Sequence, residues 1–182
     1  DSAIGDADHG INMARGMTAV INKINGGQPT HANDLFKTVA MTLVTSVGGA
    51  SGPLYGTFFL RFASAAGPAI ELDAEAVHMA LRAGLTGVVE RGKARPGDKT
   101  MVDALSPALD AMEAVIKNGG DLEAAVKAAR DAATAGLHAT VPMVAGTGYV
   151  QLAASSRSAD LAAGAALAVS GFNCDLVRGS IQ

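Results

Sequence analysis

Apolar residues recur at three- and four-residue steps along most of this chain, a period that points to helices with one buried face. The clearest case runs from 98 to 117, where Met101, Ala104, Leu105, Leu109, Met112, Val115 and Ile116 fall on that spacing. The same pattern predicts helices at about 10–25, 34–47, 52–67, 74–91, 98–117 and 121–138, and a seventh within 150–171. No strand-like alternation and no internal repeat appears. The punctuation agrees. Gly26-Gly27-Gln28-Pro29-Thr30 stops the first helix, and Asn33 or Asp34 is placed to cap the second. Ser51 is placed to cap the third, with Pro53 in its first turn. Asp73 precedes the fourth, Asp98 is the expected cap of the fifth, and Gly119-Gly120-Asp121 breaks and restarts the chain before the sixth. Short connections make consecutive helices antiparallel neighbours, so the expected fold is all-α, an up-and-down bundle.

Composition narrows the class without naming a function. A length of 182 residues suits a single domain spanning 1–182, large enough to bury its own core. The net charge of −3 argues against non-specific nucleic-acid binding, which needs a basic face. Five Phe, two Tyr and no Trp leave little for a base-stacking platform. The single cysteine, Cys174, cannot form an intramolecular disulfide and fits a reducing compartment. Apolar stretches are broken by Gly, Ser or charge before they reach membrane-spanning length, and no signal peptide is evident. The expectation is a cytoplasmic domain with neither nucleic acid nor membrane as a partner. The first residue is Asp1 rather than Met, which leads us to expect a further segment upstream.

Three segments carry more glycine and polar character than a helix connection requires. The first, Asp1-Ser2-Ala3-Ile4-Gly5-Asp6-Ala7-Asp8-His9-Gly10, holds three carboxylates and no lysine or arginine. Carboxylates held this close repel one another unless a cation joins them. Their hard oxygens suit Mg²⁺ or Ca²⁺, and Mg²⁺ commonly completes its shell with water and substrate phosphates. The following helix would present its N-terminal N–H groups to an anion. A solvated turn or a helix cap is the competing explanation. The spacing is neither that of an EF-hand, which needs a glutamate where Asn12 stands, nor that of a Walker loop.

The second segment runs from Thr45 to Thr57, where Gly48, Gly49 and Gly52 permit unusual backbone angles and a close ligand approach. A tight helix–helix corner would use the same residues. The third, Arg91-Gly92-Lys93-Ala94-Arg95-Pro96-Gly97-Asp98-Lys99-Thr100-Met101, offers Lys93, Arg95 and Lys99 to anions, or simply a solvated basic loop. Two helices separate each segment from the next. An up-and-down count therefore returns 1–9, 46–57 and 92–100 to the same end of the bundle, which is the physical argument for one composite site.

These three segments, in this order, resemble the nucleotide-binding L subunit of dihydroxyacetone kinase. The likeness lies in Gly5-Asp6-Ala7-Asp8-His9-Gly10, in Val47-Gly48-Gly49-Ala50-Ser51-Gly52-Pro53-Leu54-Tyr55-Gly56-Thr57-Phe58-Phe59 and in Arg91 to Met101, and runs from Asp1 to about Met143. The resemblance implies an antiparallel barrel of about eight helices, the first of them upstream of Asp1. It makes Asp1, Asp6 and Asp8 the ligands of two Mg²⁺ ions that bridge the nucleotide phosphates. His9, Gly10, Ile11 and Asn12 would meet those phosphates, Ala50 and Ser51 would add contacts from the glycine-rich corner, and Gly92 and Met101 would line the adenine and ribose end.

Residues 144–182 diverge from the family. Tyr149 stands where the family has a nucleotide-contacting arginine, and Ala162-Ala163-Gly164-Ala165 replaces Asp-Pro-Gly-Ala, so Gly164 is the nucleotide-site glycine that survives. Loss of a charge-assisted hydrogen bond to a diphosphate would weaken binding by roughly 1.5–3 kcal/mol.

The implied function is phosphoryl transfer through Mg-bound ADP, with ATP formed in turnover, to dihydroxyacetone held on a partner K subunit. A phosphohistidine M subunit of the phosphotransferase system would recharge the nucleotide, and a homodimer is allowed. No covalent nucleophile is assigned: Cys174 is isolated, His31, His78 and His138 stand outside the motifs, and His9 is read as a phosphate contact. Two alternatives stay open. One is an ATP-dependent kinase domain for dihydroxyacetone or a related ketose, and the other is a regulatory subunit that binds ADP–Mg without chemistry.

Overall fold

The computed structural model describes residues 9–27 and 29–143, with side chains from Gly10 onward. These residues form six helices: α1 His9–Asn25, α2 Ala32–Ser46, α3 Ser51–Ala66, α4 Ala74–Gly92, α5 Val102–Lys117 and α6 Leu122–Ala139. No strand occurs among the described residues. The expected helix within 150–171 and the one expected before Asp1 lie outside them.

The extensive helix–helix contacts all join helices adjacent in sequence, and the slightest of them is between α4 and α5. Residue pairs give the directions. Gly52 faces Val47 and Gly56 faces Val44 and Ala40, so α2 and α3 run antiparallel, while Gly84 and Gly87 of α4 lie against Phe58, Thr57 and Arg61 of α3. Arg82 of α4 pairs with Asp110 of α5 at 2.8 Å, and Gly136 near the end of α6 lies against Asp103 and Ala104 at the start of α5. Gly16 of α1 fits under Leu43 and Val47, at the far end of α2. The contacts of α1 with α2, α2 with α3 and α5 with α6 agree with the up-and-down order expected from the spacing.

Two apolar clusters fill the interior. The larger joins α3, α4, α5 and α6 through Phe58, Phe62, Val77, Leu85, Leu105, Leu109, Met112 and Ala129. The smaller lies between α1 and α2 and contains Val20, Val39, Leu43 and Val47. Tyr55 and Phe59 border both. The Phe36 ring of α2 sits with its centroid 4.1 Å from that of Phe62. Burial pushes the Tyr55 phenol up to about 12, so the side chain stays neutral beneath the α2–α3 corner. Within α4, His78 is buried with no hydrogen-bond partner for Nδ1.

Two helix junctions follow their sequence signals. The Asp73 and Asp121 carboxylates accept from the Ala76 and Ala124 N–H groups at 2.8 Å, capping α4 and α6. Gly119, with φ of 78°, ends α5: its N–H donates to Ile116 O and that of Gly120 to Val115 O, both at 2.9 Å.

Three caps differ from expectation. α2 begins after His31, not at Asn33 or Asp34, because its first N–H groups find partners outside the helix. Ala32 N donates to Ala69 O at 2.8 Å and Asn33 N to Gly67 O at 3.2 Å. α3 begins at Ser51 with Ala50 already in a helical conformation as its N-cap, so Ser51 lies in the first turn. α5 begins at Val102 rather than 98, for reasons that belong to the site.

Glycine governs how closely α5 and α6 approach. A Cβ at Gly136 would overlap the Asp103 carbonyl oxygen and lie 3.1 Å from Ala104 Cα. The same carbonyl lacks a helical donor because residue 107 is proline. We expect Gly136→Ala to destabilise the chain by about 1–3 kcal/mol, overpacking outweighing the helix propensity that alanine gains. Urea unfolding measures this, and a midpoint at or above wild type would contradict the packing.

Candidate functional site

The α2–α3 corner is built for an exposed backbone. Val47 ends α2 by donating to Leu43 O at 3.0 Å, and Gly49 then takes φ of 65°, a conformation costly for side chains with a Cβ. Gly48, Gly49 and Ala50 are exposed, and among the described residues nothing accepts from their N–H groups. Three backbone donors thus face outward at a helix start, where the dipole favours negative charge. The corner sits close on α2, since a Cβ at Gly52 would overlap the Val47 carbonyl.

The start of α1 is tied to this corner. Arg15 donates from Nε and Nη2 to the Ser46 carbonyl at 3.4 and 3.3 Å, and from Nη2 to Asn12 Oδ1 at 2.7 Å. The first turns of α1 and the α2–α3 corner therefore meet in space. Gly10 and Ile11 are exposed and Asn12 is half-buried at this edge. Sequence reasoning passed over Arg15, although its place three residues after Asn12 on a helix is the signal that finds it.

The α4–α5 loop is organised by two aspartates. Asp98 does not cap α5: its carboxylate accepts from Arg95 N at 2.7 Å and closes a turn. The capping work falls to Asp103, which accepts from Thr100 N at 2.8 Å and from Gly97 N. Met101 becomes the N-cap without a side-chain bond, and the helix starts four residues late. With its amides so engaged, this loop is not an anion cradle.

Its cations divide into two groups. Lys99, at φ of 60°, donates to Met143 O at 3.2 Å and to Val141 O at 3.5 Å, so its ammonium is spent on the carbonyls that follow α6. Arg91, Lys93 and Arg95 are exposed and form no ion pair among the described residues. Gly92 is buried as the last residue of α4. Met101 is 3% exposed and belongs to the larger core, so what it offers a ligand at the surface is backbone.

Of the candidate residues, Gly10, Ile11 and Asn12 lie at the start of α1, Ala50 and Ser51 at the α2–α3 corner, and Gly92 and Met101 at the two ends of the α4–α5 loop. Asp1, Asp6, Asp8 and Gly164 lie outside the described residues, as does the side chain of His9. Among the described residues no group of three or more His, Cys, Asp or Glu is placed to hold a metal. None of the described helices is long and apolar enough to cross a membrane.

Comparison with known proteins fits this geometry to a family. The DAK2 domain model matches residues 3–173. The ADP-binding subunit DhaL of PEP-dependent dihydroxyacetone kinase 1 from Listeria innocua is 44% identical over 131 residues, which are 72% of this chain and 66% of that protein. The ADP-binding subunit DhaL of the PEP-dependent dihydroxyacetone kinase from Escherichia coli K12 is 40% identical over 148 residues, 81% of this chain and 70% of that one. The crystal structure of the dihydroxyacetone kinase of C. freundii in its native form superposes with a TM-score of 0.65 at 29% identity, covering 93% of this chain and 30% of that one. The chain belongs to the DAK2 domain family, and it spans about two thirds of the length of the bacterial subunits it matches.

The loop architecture makes its own prediction. Asp103→Ala leaves the Gly97 and Thr100 N–H groups without their acceptor, at a cost of about 1–3 kcal/mol. We expect a lower melting temperature and faster tryptic cleavage after Lys93 and Lys99, with Asp103→Asn intermediate. Unchanged cleavage would contradict the role given to this carboxylate.

Proposed function

We propose that the chain is the ADP-binding subunit of a dihydroxyacetone kinase, acting with partner subunits in phosphoryl transfer. The observation that carries the proposal is the convergence of two of its sequence motifs: the start of α1 and the glycine-rich corner are joined through Arg15, and both belong to a chain 40–44% identical to subunits named for ADP binding. In this reading the first turn of α1 and the Gly48–Ala50 amides hold the phosphates. Gly92 and the backbone around Met101 flank the nucleoside, and Gly164 completes the site from the C-terminal side.

Asp1, Asp6 and Asp8 suit two Mg²⁺ ions by the chemistry of their donor set, hard carboxylate oxygens with no competing cation in the segment. Bound there, magnesium supplies charge neutralisation at the phosphate oxygens. What the chain itself contributes is position: backbone donors and helix N-termini fix the diphosphate in line for transfer, the principal source of catalysis in phosphoryl chemistry. The acceptor ketose sits on a K subunit, and a phosphohistidine M subunit restores the donor.

One observation favours a second reading. The chain covers 30% of the C. freundii kinase, in which an equivalent domain is part of a longer chain, and such a domain would use exchangeable ATP. Nucleotide retention separates the two: a resident cofactor co-purifies and survives gel filtration, whereas exchangeable nucleotide is lost.

The test is reconstitution. We expect phosphorylation of dihydroxyacetone only when the chain is combined with K and a phosphoryl source, and none from the chain alone. Binding of ADP–Mg without turnover in the complete mixture would favour the regulatory alternative. Asp6→Ala should abolish turnover together with ADP–Mg binding, and full binding by that variant would overturn the metal assignment.

A further inference from the structure

The Arg15 side chain hydrogen-bonds both within α1 and to the end of α2 at the candidate site, and its contacts are chemically one-directional. A guanidinium carries five N–H donors and no acceptor, so the atom of Asn12 that faces it must be the amide oxygen. The bond of 2.7 Å from Arg15 Nη2 to Asn12 Oδ1 therefore fixes which way round the amide lies. It leaves Nδ2, with its two donors, as the free end, and among the described residues nothing accepts from it. The same guanidinium holds the Ser46 carbonyl through two longer bonds, at 3.3 and 3.4 Å. Ser46 is the last residue of α2, and the exposed Gly48–Ala50 amides begin two residues later.

We infer that Arg15 is a positioning residue of the diphosphate site, holding Asn12 in its donor-out orientation and fixing the glycine-rich corner relative to the first turn of α1. The inference rests on the reading of this end as an ADP site. An unrestrained asparagine would spend part of its time with Oδ1 toward the ligand, where it repels an anion. An unrestrained corner would spend part of its time too far from α1 for both to touch one diphosphate. Arg15 removes both costs before the ligand arrives, which is preorganisation in the ordinary sense. Lysine cannot replace it, because a single ammonium on a flexible stem lacks the planar fork that reaches two acceptors in fixed geometry.

The experiment is calorimetric titration of ADP in the presence of Mg²⁺ into wild type, Arg15→Ala, Arg15→Lys, Asn12→Ala and the Asn12→Ala/Arg15→Ala double variant, with AMP as the comparison ligand. We expect Arg15→Ala to weaken ADP about tenfold, equivalent to about 1.4 kcal/mol. Arg15→Lys should fail to restore it, AMP should change much less, and melting should fall by no more than a few degrees. The two single losses should not add in the double variant, since part of what Arg15 does passes through Asn12.

Undiminished ADP affinity in Arg15→Ala, full additivity in the double variant, or equal losses for AMP and ADP would overturn the inference while leaving the ADP site standing. Should Arg15→Ala fail to fold, Arg15→Lys carries the same comparison, and wild-type affinity in that variant overturns it. Absence of ADP binding in the wild-type chain would bring down the site and this inference together.

Discussion

Close approach of helix backbones is the constraint on which the rest depends. At four helix interfaces the contact point is a glycine whose Cβ would overlap a neighbour: Gly16 against Val47, Gly56 against Val44, Gly87 against Arg61 and Gly136 against Asp103. Such contacts fix the register of one helix on the next more tightly than interlocking of larger side chains alone, since a shift by one residue places a side chain where only hydrogen fits. Register matters because the candidate site is not carried by any one helix. It is assembled from the start of α1, the α2–α3 corner and the α4–α5 loop, and its width is the sum of the interhelix spacings between them.

Much of this was legible in the chain. The three- and four-residue period located all six described helices, and Asp73, Asp121 and Gly119 marked their ends because local chemistry there is uncontested. The misplaced starts of α2 and α5 share one physical cause, the capture of backbone groups by partners distant in sequence or beyond the first turn. Asn33 does not cap α2 because carbonyls of the α3–α4 connection, Gly67 and Ala69, already satisfy the first amides. Asp98 does not cap α5 because Asp103 draws Gly97 and Thr100 into the loop. A propensity argument sees the aspartate nearest the helix, not the one that reaches back from inside it.

The site divides along the same line. Alternation of helix direction predicts that the motifs share one end, a deduction that needs only the count of helices. The use made of each cation needs coordinates. Lys99 reads in sequence like its neighbours Lys93 and Arg95, yet it is bound to the carbonyls after α6 while they remain exposed. Arg15 reads like an ordinary helix-surface charge and proves to join two motifs. Met101 matches the family pattern and also fills the core, so a methionine there serves packing whether or not its backbone meets a nucleotide.

The central claim is that this end of the bundle binds a nucleoside diphosphate through backbone donors and a cation held by Asp1, Asp6 and Asp8. Titration of ADP into the metal-free chain, with and without added Mg²⁺, tests it most directly. The account predicts tight binding with magnesium and a loss of affinity of at least about tenfold without it, or about 1.4 kcal/mol. Equal affinity in both conditions would contradict the role of the aspartates, and no binding in either would contradict the site itself.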